Sequence, residues 1–169
     1  MLRLMWAISK QKVANFIGRM TQSMHLDTKK ILTWYSYILF IAPILFWALI
    51  AMRSAASGQT LRMIIMKQPA VAIATIIAIV DFVLGYYLLL NKQKVLINRQ
   101  TYRFVMVSQM LGQMLVGNLL CVVLAILGVY RAKALPKTQA SVNPIMMAAS
   151  IAGAVLLLGC FMLILLLEF

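Results

Sequence analysis

Along most of this chain the apolar residues neither alternate nor recur every third or fourth position; they run on without a break. Four such runs occupy residues 31–52, 69–90, 104–130 and 144–167. Each is longer than the roughly 20 residues that, at about 1.5 Å rise, cross a hydrocarbon core about 30 Å thick. The pattern predicts an all-α, polytopic membrane protein with four transmembrane helices, forming a single membrane domain over residues 1–169.

The opening stretch, MLRLMWAISKQKVANFIGRM, has a different period. At 100° per residue Leu2, Met5, Trp6, Val13, Phe16, Ile17 and Met20 share one side, while Arg3, Lys10, Gln11, Asn15 and Arg19 fall elsewhere. Residues 1–22 therefore read as an amphipathic helix lying in the interface, with Arg3, Lys10, Lys12 and Arg19 turned to anionic lipid headgroups. They do not read as a secretory signal: the bases are scattered, and neither a continuous apolar region nor an A-x-A site follows.

Breakers and caps mark the ends of the runs. Asp27 or Thr28 is placed to cap the first span, Pro69 suits the first turn of the second, and Asn143 with Pro144 reads as N-cap and first residue of the fourth. Pro43 falls inside the first span and predicts a bend. The segment 91–103 carries neither Gly nor Pro, so the helices on either side of it are expected to project past the bilayer.

Composition agrees with the pattern. The chain is 64% hydrophobic, with a mean hydropathy of +0.95, well above the 45–50% apolar content of ordinary soluble domains. Its net charge is +13, from 16 Lys and Arg against 3 Asp and Glu. Such an excess raises nucleic acid as a partner. Here, however, the bases sit in every connector: six in residues 1–30, three in 53–68, four in 91–103 and three in 131–143. Anionic membrane lipids are the expected partner, and nucleic acid is not. With four spans and both termini inside, the bases divide ten to six in favour of the inner face, which is the direction of the positive-inside rule in a cytoplasmic (inner) membrane. Trp34, Tyr35, Tyr37, Tyr86, Tyr87 and Tyr102 lie near one interface, and Trp47 and Tyr130 near the other. Cys121 and Cys160 differ in depth by about 10 Å at 1.5 Å per residue. That is too far apart for a disulfide, so two unpaired thiols are expected.

One acid, Asp81, stands within a span. An ionised Asp at a helix centre costs about 2.5–3.5 kcal/mol, which twelve Ile, Leu, Val and Phe residues at up to about −0.6 kcal/mol each outweigh. An intramembrane acid faces protein or water by default. Ala70, Ala74, Ala78 and Gly85 lie within about 60° of it on the helical wheel, a small-residue face of the kind that lets membrane helices approach closely. Asp81 lies 12 residues in from Pro69, and an antiparallel third helix places Asn118 at the same depth. A neutral Asp81 hydrogen-bonded to Asn118 is therefore the expected tie between the second and third spans, with Gly117 in a small-residue stripe beside it. Gln109 and Gln113 share another face of the third span, and Gln113 matches Tyr86 in depth. In the fourth span Ala149 with Gly153, and Ala148 with Ala152, form close-packing pairs on two faces.

Catalytic chemistry is poorly represented. The lone histidine, His25, has no paired Cys or carboxylate cluster, there is no P-loop or G-x-S-x-G, and only one acid lies in a span. The thirteen methionines read as gap-filling contacts. No enzyme activity, metal or cofactor is expected. The sequence points first to a non-enzymatic accessory, assembly or regulatory subunit acting by helix packing with a membrane-protein partner or in a homo-oligomer. A small proton- or cation-linked transporter or channel using Asp81, with Gln109, Gln113 and Asn118 along its path, is the second reading. An immunity-type protective protein is the third.

Overall fold

The computed structural model describes residues 27–136 and 144–168; the amphipathic helix expected over 1–22 and the cap expected at Asn143 lie outside these. All regular structure among the described residues is helical. Helix α1 spans Thr28–Ser57, the short α2 Leu61–Lys67, α3 Pro69–Leu90, the short α4 Lys92–Ile97, α5 Arg99–Leu115, α6 Leu119–Arg131 and α7 Pro144–Glu168, with a 3-10 turn at Ala132–Ala134. Three of them, α1, α3 and α7, are long and apolar enough to cross a membrane.

Their ends follow local chemistry. Asp27 stands at the N-cap position of α1, with its carbonyl accepting from the Ile31 amide at 2.9 Å. Gly58, at φ +64°, closes the same helix in the left-handed conformation that glycine tolerates. Thr60 caps α2 by accepting from the Met63 amide, and Pro69 occupies the first turn of α3, where no amide donor is needed.

The third apolar run departs from expectation. Residues 104–130 do not form one span; they belong to two helices, α5 and α6, folded against each other as an antiparallel hairpin. Gly128 of α6 lies against Met106 and Tyr102 of α5, so residues eleven positions on either side of Gly117 meet. The turn is a Schellman motif: Gly117 adopts φ +75°, its amide donates to the Met114 carbonyl at 3.3 Å, and the Asn118 amide donates to the Gln113 carbonyl at 3.0 Å. Asn118 then starts the next helix, its side-chain oxygen accepting from the Cys121 amide at 3.3 Å. At the open end of the hairpin the Arg99 amide donates to the Pro136 carbonyl at 3.4 Å, which brings the two ends together.

The most polar of the long helices is α5. One face of it buries Tyr102, Val105, Met106, Gln109, Gly112 and Gln113. The helices close a ring: α6 and α7 pack on α5, α3 packs on α7, and α1 lies against both α3 and α6. Close approaches occur at glycines. Gly112 meets Leu157 of α7, Gly153 of α7 meets Leu84 of α3, and Gly85 of α3 meets the backbone of α1 at Leu39 and Phe40. Beside the last contact the rings of Phe40 and Phe82 stack at 4.5 Å. Helices α5 and α7 run parallel: the Ser108 hydroxyl donates to the Ser150 carbonyl at 3.0 Å, and Gly112 lies over Ala154 and Leu157 one turn further on. The Tyr102 hydroxyl donates to the Thr28 carbonyl at 3.4 Å, so α1 begins beside the open end of the hairpin. Cys121 and Cys160 are both free and buried.

Candidate polar site in the helix bundle

Asp81 is 6% exposed, on the face of α3 that also buries Ala78, Leu84, Gly85 and Leu88. Its partner is Gln113 of α5, not Asn118: the Gln113 side-chain amide donates to the Asp81 carboxylate at 2.6 Å. The expected pairing with Asn118 fails because depth along a straight antiparallel helix loses its meaning once the chain turns back at Gly117. Asn118 sits at that turn and uses its side chain to cap α6. Gly117 is exposed there with nothing within 4 Å, so it serves the turn and not a close helix contact.

One helical turn before Gln113, Gln109 accepts a hydrogen bond from the hydroxyl of Tyr35 at 3.2 Å. Tyr35 is fully buried. Sequence reasoning assigned it to an interfacial belt with Trp34 and Tyr37, both of which are exposed. The signal that separates them is periodicity. Ile31, Leu32, Tyr35, Ser36, Leu39 and Pro43 recur at three- and four-residue spacing and form the buried face of α1. Two glutamines on one face of α5 thus hold one side chain from each of two flanking helices. Tyr86, matched to Gln113 by depth, points away and is 53% exposed.

The small-residue stripe of α3 divides in function along its length. Gly85 is pressed against α1, whereas Ala74, Ala78 and Asp81 line a cavity of about 250 Å³ with Ala42, Pro43, Phe46 and Val116. Ala70 is exposed. Val116 belongs to the tip of the hairpin, so the cavity begins where the hairpin ends. On α7 the two small faces also part company. Gly153 is buried against Leu84, with Ala149 half-buried beside it, while Ala148 and Ala152 are exposed.

The arrangement supplies one carboxylate, two carboxamides and a phenol. Among the described residues no three His, Cys, Asp or Glu side chains gather at metal-ligating distance. What these groups do physically is fasten the hairpin to α1 and α3. The remaining oxygen of the Gln113 amide is buried without a partner, so this helix joint is only partly satisfied. An interhelical bond in a membrane contributes about 0.6 kcal/mol, up to about 1.7. Leaving a buried polar group unpaired costs more, about 1–3 kcal/mol. Gln113→Leu, which strands the acid, is therefore expected to lower unfolding stability in detergent by about 1–3 kcal/mol. Asp81→Asn, which keeps an acceptor oxygen at the same place, is expected to be nearly silent. A melting series with the reverse order would remove the tie from the account.

No family model matches this chain, and neither a curated protein nor a solved structure shows significant similarity to it.

Proposed function

We propose that the protein is a non-enzymatic accessory or assembly subunit that binds a partner helix within the bilayer. The observation that carries this reading is the outer small-residue face of α7. Ala148, Ala152 and Gly159 are exposed, and Gly159 has nothing within 4 Å. Beside this face a groove of about 340 Å³ runs between α3 and α7, lined among others by Ile79, Val83, Ala152 and Leu156. In lipid, where apolar surface alone does not drive association, faces of this kind permit the close backbone contact that holds helices together. Ala152→Leu, which fills the groove, is expected to reduce co-purification of a stoichiometric membrane partner, or of a second copy, in gentle detergent by tenfold or more, with the melting temperature of the chain itself unchanged. Equal recovery with Ala152→Leu and wild type would refute the reading.

The register supports three spans and a re-entrant hairpin in place of four complete spans. Residues 28, 91–99, 131–136 and 144 then share one face, and residues 58–69 and 168 the other. The bases divide thirteen to three, six in 1–30, four in 91–103 and three in 131–143 against three in 53–68. That asymmetry is far steeper than the ten to six of four spans, and the positive-inside rule assigns the basic face to the cytoplasm. On this topology residues 28 and 168 would lie on opposite sides of a cytoplasmic (inner) membrane, whereas four complete spans would put both inside.

A proton- or cation-linked path is the second reading, favoured by the cavity that Asp81 lines above the hairpin tip. It requires flux through reconstituted protein that Asp81→Asn abolishes while assembly persists.

A further inference from the structure

The hairpin carries a second cavity, at its open end and away from Asp81. Its volume is about 320 Å³, and its walls come from Arg99, Arg103 and Met110 of α5, Ile126, Val129 and Tyr130 of α6, and Ala132 and Lys133 of the 3-10 turn. The residue types are graded along its length. Three cations stand at the mouth, where the Arg99–Pro136 backbone contact joins the two ends of the hairpin. The apolar side chains of Met110, Ile126 and Val129 lie further up. From Arg99 to Met110 is eleven residues of helix, about 16 Å at 1.5 Å per residue. The Lys133 ammonium lies 5.7 Å from the centre of the Tyr130 ring, which holds it at the mouth.

Charge balance says what fits there. The chain has three acids in all, Asp27, Asp81 and Glu168. Asp81 is bonded to Gln113 inside the bundle, Glu168 lies at the far end of α7, and Asp27, at the start of α1 beside the open end of the hairpin, is one carboxylate against three cations. At least two of the three charges on Arg99, Arg103 and Lys133 have to be balanced from outside the protein. A free anion would satisfy the cations and leave the apolar wall unused. A neutral lipid would do the opposite.

We infer that this cavity binds one anionic phospholipid, its phosphate held by Arg99, Arg103 and Lys133 and the upper part of an acyl chain laid along Met110, Ile126 and Val129. Bases close to an anionic headgroup contribute about 1 kcal/mol each, about a fivefold factor in affinity, so the three together make about a hundredfold difference. The assignment rests on the topological reading above, in which both ends of the hairpin lie at one membrane face, and is independent of the partner helix on α7.

The test uses the full chain, delipidated in a neutral detergent and titrated with phosphatidylglycerol, with bound lipid counted by native mass spectrometry. One phosphatidylglycerol is expected to bind far more tightly than any further one, and phosphatidylcholine is expected not to replace it. The triple variant R99Q/R103Q/K133Q should weaken that first site about a hundredfold, whereas the control R53Q/R62Q/K67Q should leave it intact. Should the triple variant fail to fold, Ile126→Trp, which fills the apolar end and keeps every charge, should cost the same lipid. Inorganic phosphate at matched ionic strength should not displace it. Retention of the lipid in the triple variant, equal binding of phosphatidylcholine, or displacement by phosphate alone would each overturn the assignment. Cysteine labelling at positions 94 and 133 separates failure of the site from failure of the topology: labelling from one face with no tight lipid refutes the site alone.

Discussion

Single cysteines replacing Lys94 and Lys133 are expected to react with a membrane-impermeant maleimide from the same face, and cysteines replacing Arg62 and Glu168 from the opposite one, in a background in which Cys121 and Cys160 are alanine. The effect is all-or-none. A bundle of four complete spans puts positions 94 and 133 on opposite sides and position 168 on the side of position 94. The hairpin reverses both relations. Its physical basis is length. Helix α5 has 17 residues and α6 has 13, about 26 and 20 Å at 1.5 Å per residue, and neither reaches across a core about 30 Å thick. The tip stops beside Pro43, Ala74 and Ala78, all within the long helices α1 and α3. Irregular backbone at that depth is tolerated in membranes only where protein or a cavity surrounds it. Here the Schellman bonds satisfy the carbonyls of Gln113 and Met114, and the Asn118 cap satisfies an amide of α6. Labelling of positions 94 and 133 from opposite faces would eliminate the hairpin from the membrane-inserted protein.

The same segment marks where sequence reading fell short. Three helices long and apolar enough to cross a membrane were legible because their apolar residues are continuous and their limits carry explicit signals, Pro69 at the start of α3 and Pro144 at the start of α7 among them. Residues 104–130 are equally apolar in total, so a window as long as the membrane is thick reads them as one more span. The information against that reading was local. Gly117 followed by Asn118 is a helix stop followed by a helix start, and the polar residues Ser108, Gln109 and Gln113 crowd the half that precedes it. A helix so marked is poorly suited to facing lipid but well suited to packing between two neighbours, as α5 does between α6 and α7. The acid was legible too, as a buried group on the packing face of α3. Its partner was not, because depth matching assumes a straight rod, and the turn moved Asn118 to the tip while leaving Gln113 one turn below. Tyr35 was missed for a different reason: tyrosine is common at membrane interfaces, and that general preference outweighed the three-and-four spacing that places it on the buried face of α1.

Gly85→Ala is expected to be among the most damaging single-methyl additions in the protein, lowering stability by about 1–3 kcal/mol. A β-carbon at this position meets Leu39 Cβ at 3.0 Å, the Phe40 amide nitrogen at 3.0 Å and the Leu39 carbonyl carbon at 3.1 Å. Two of these three atoms are backbone, so no rotamer change makes room; α1 and α3 have to separate. The separation also works against the Phe40–Phe82 stack and falls one turn from Asp81. Distance alone would rank Gly153 as worse, since a β-carbon there comes within 2.8 Å of Leu84. The atoms it meets, however, are the end of a flexible side chain, which can swing aside. Gly159, with open space around it, sets the baseline. The order of destabilisation for alanine at the three sites should therefore be position 85 first, then 153, then 159, as read from denaturation midpoints in mixed micelles. Since alanine also favours helix by up to about 1 kcal/mol over glycine, the change at 159 should be neutral or mildly stabilising, which makes the contrast with position 85 larger than the steric cost alone. A Gly85→Ala protein as stable as the Gly159→Ala protein would mean that α1 and α3 do not approach at Leu39 and Phe40. The placement of Asp81 against the hairpin depends on that approach and would fall with it.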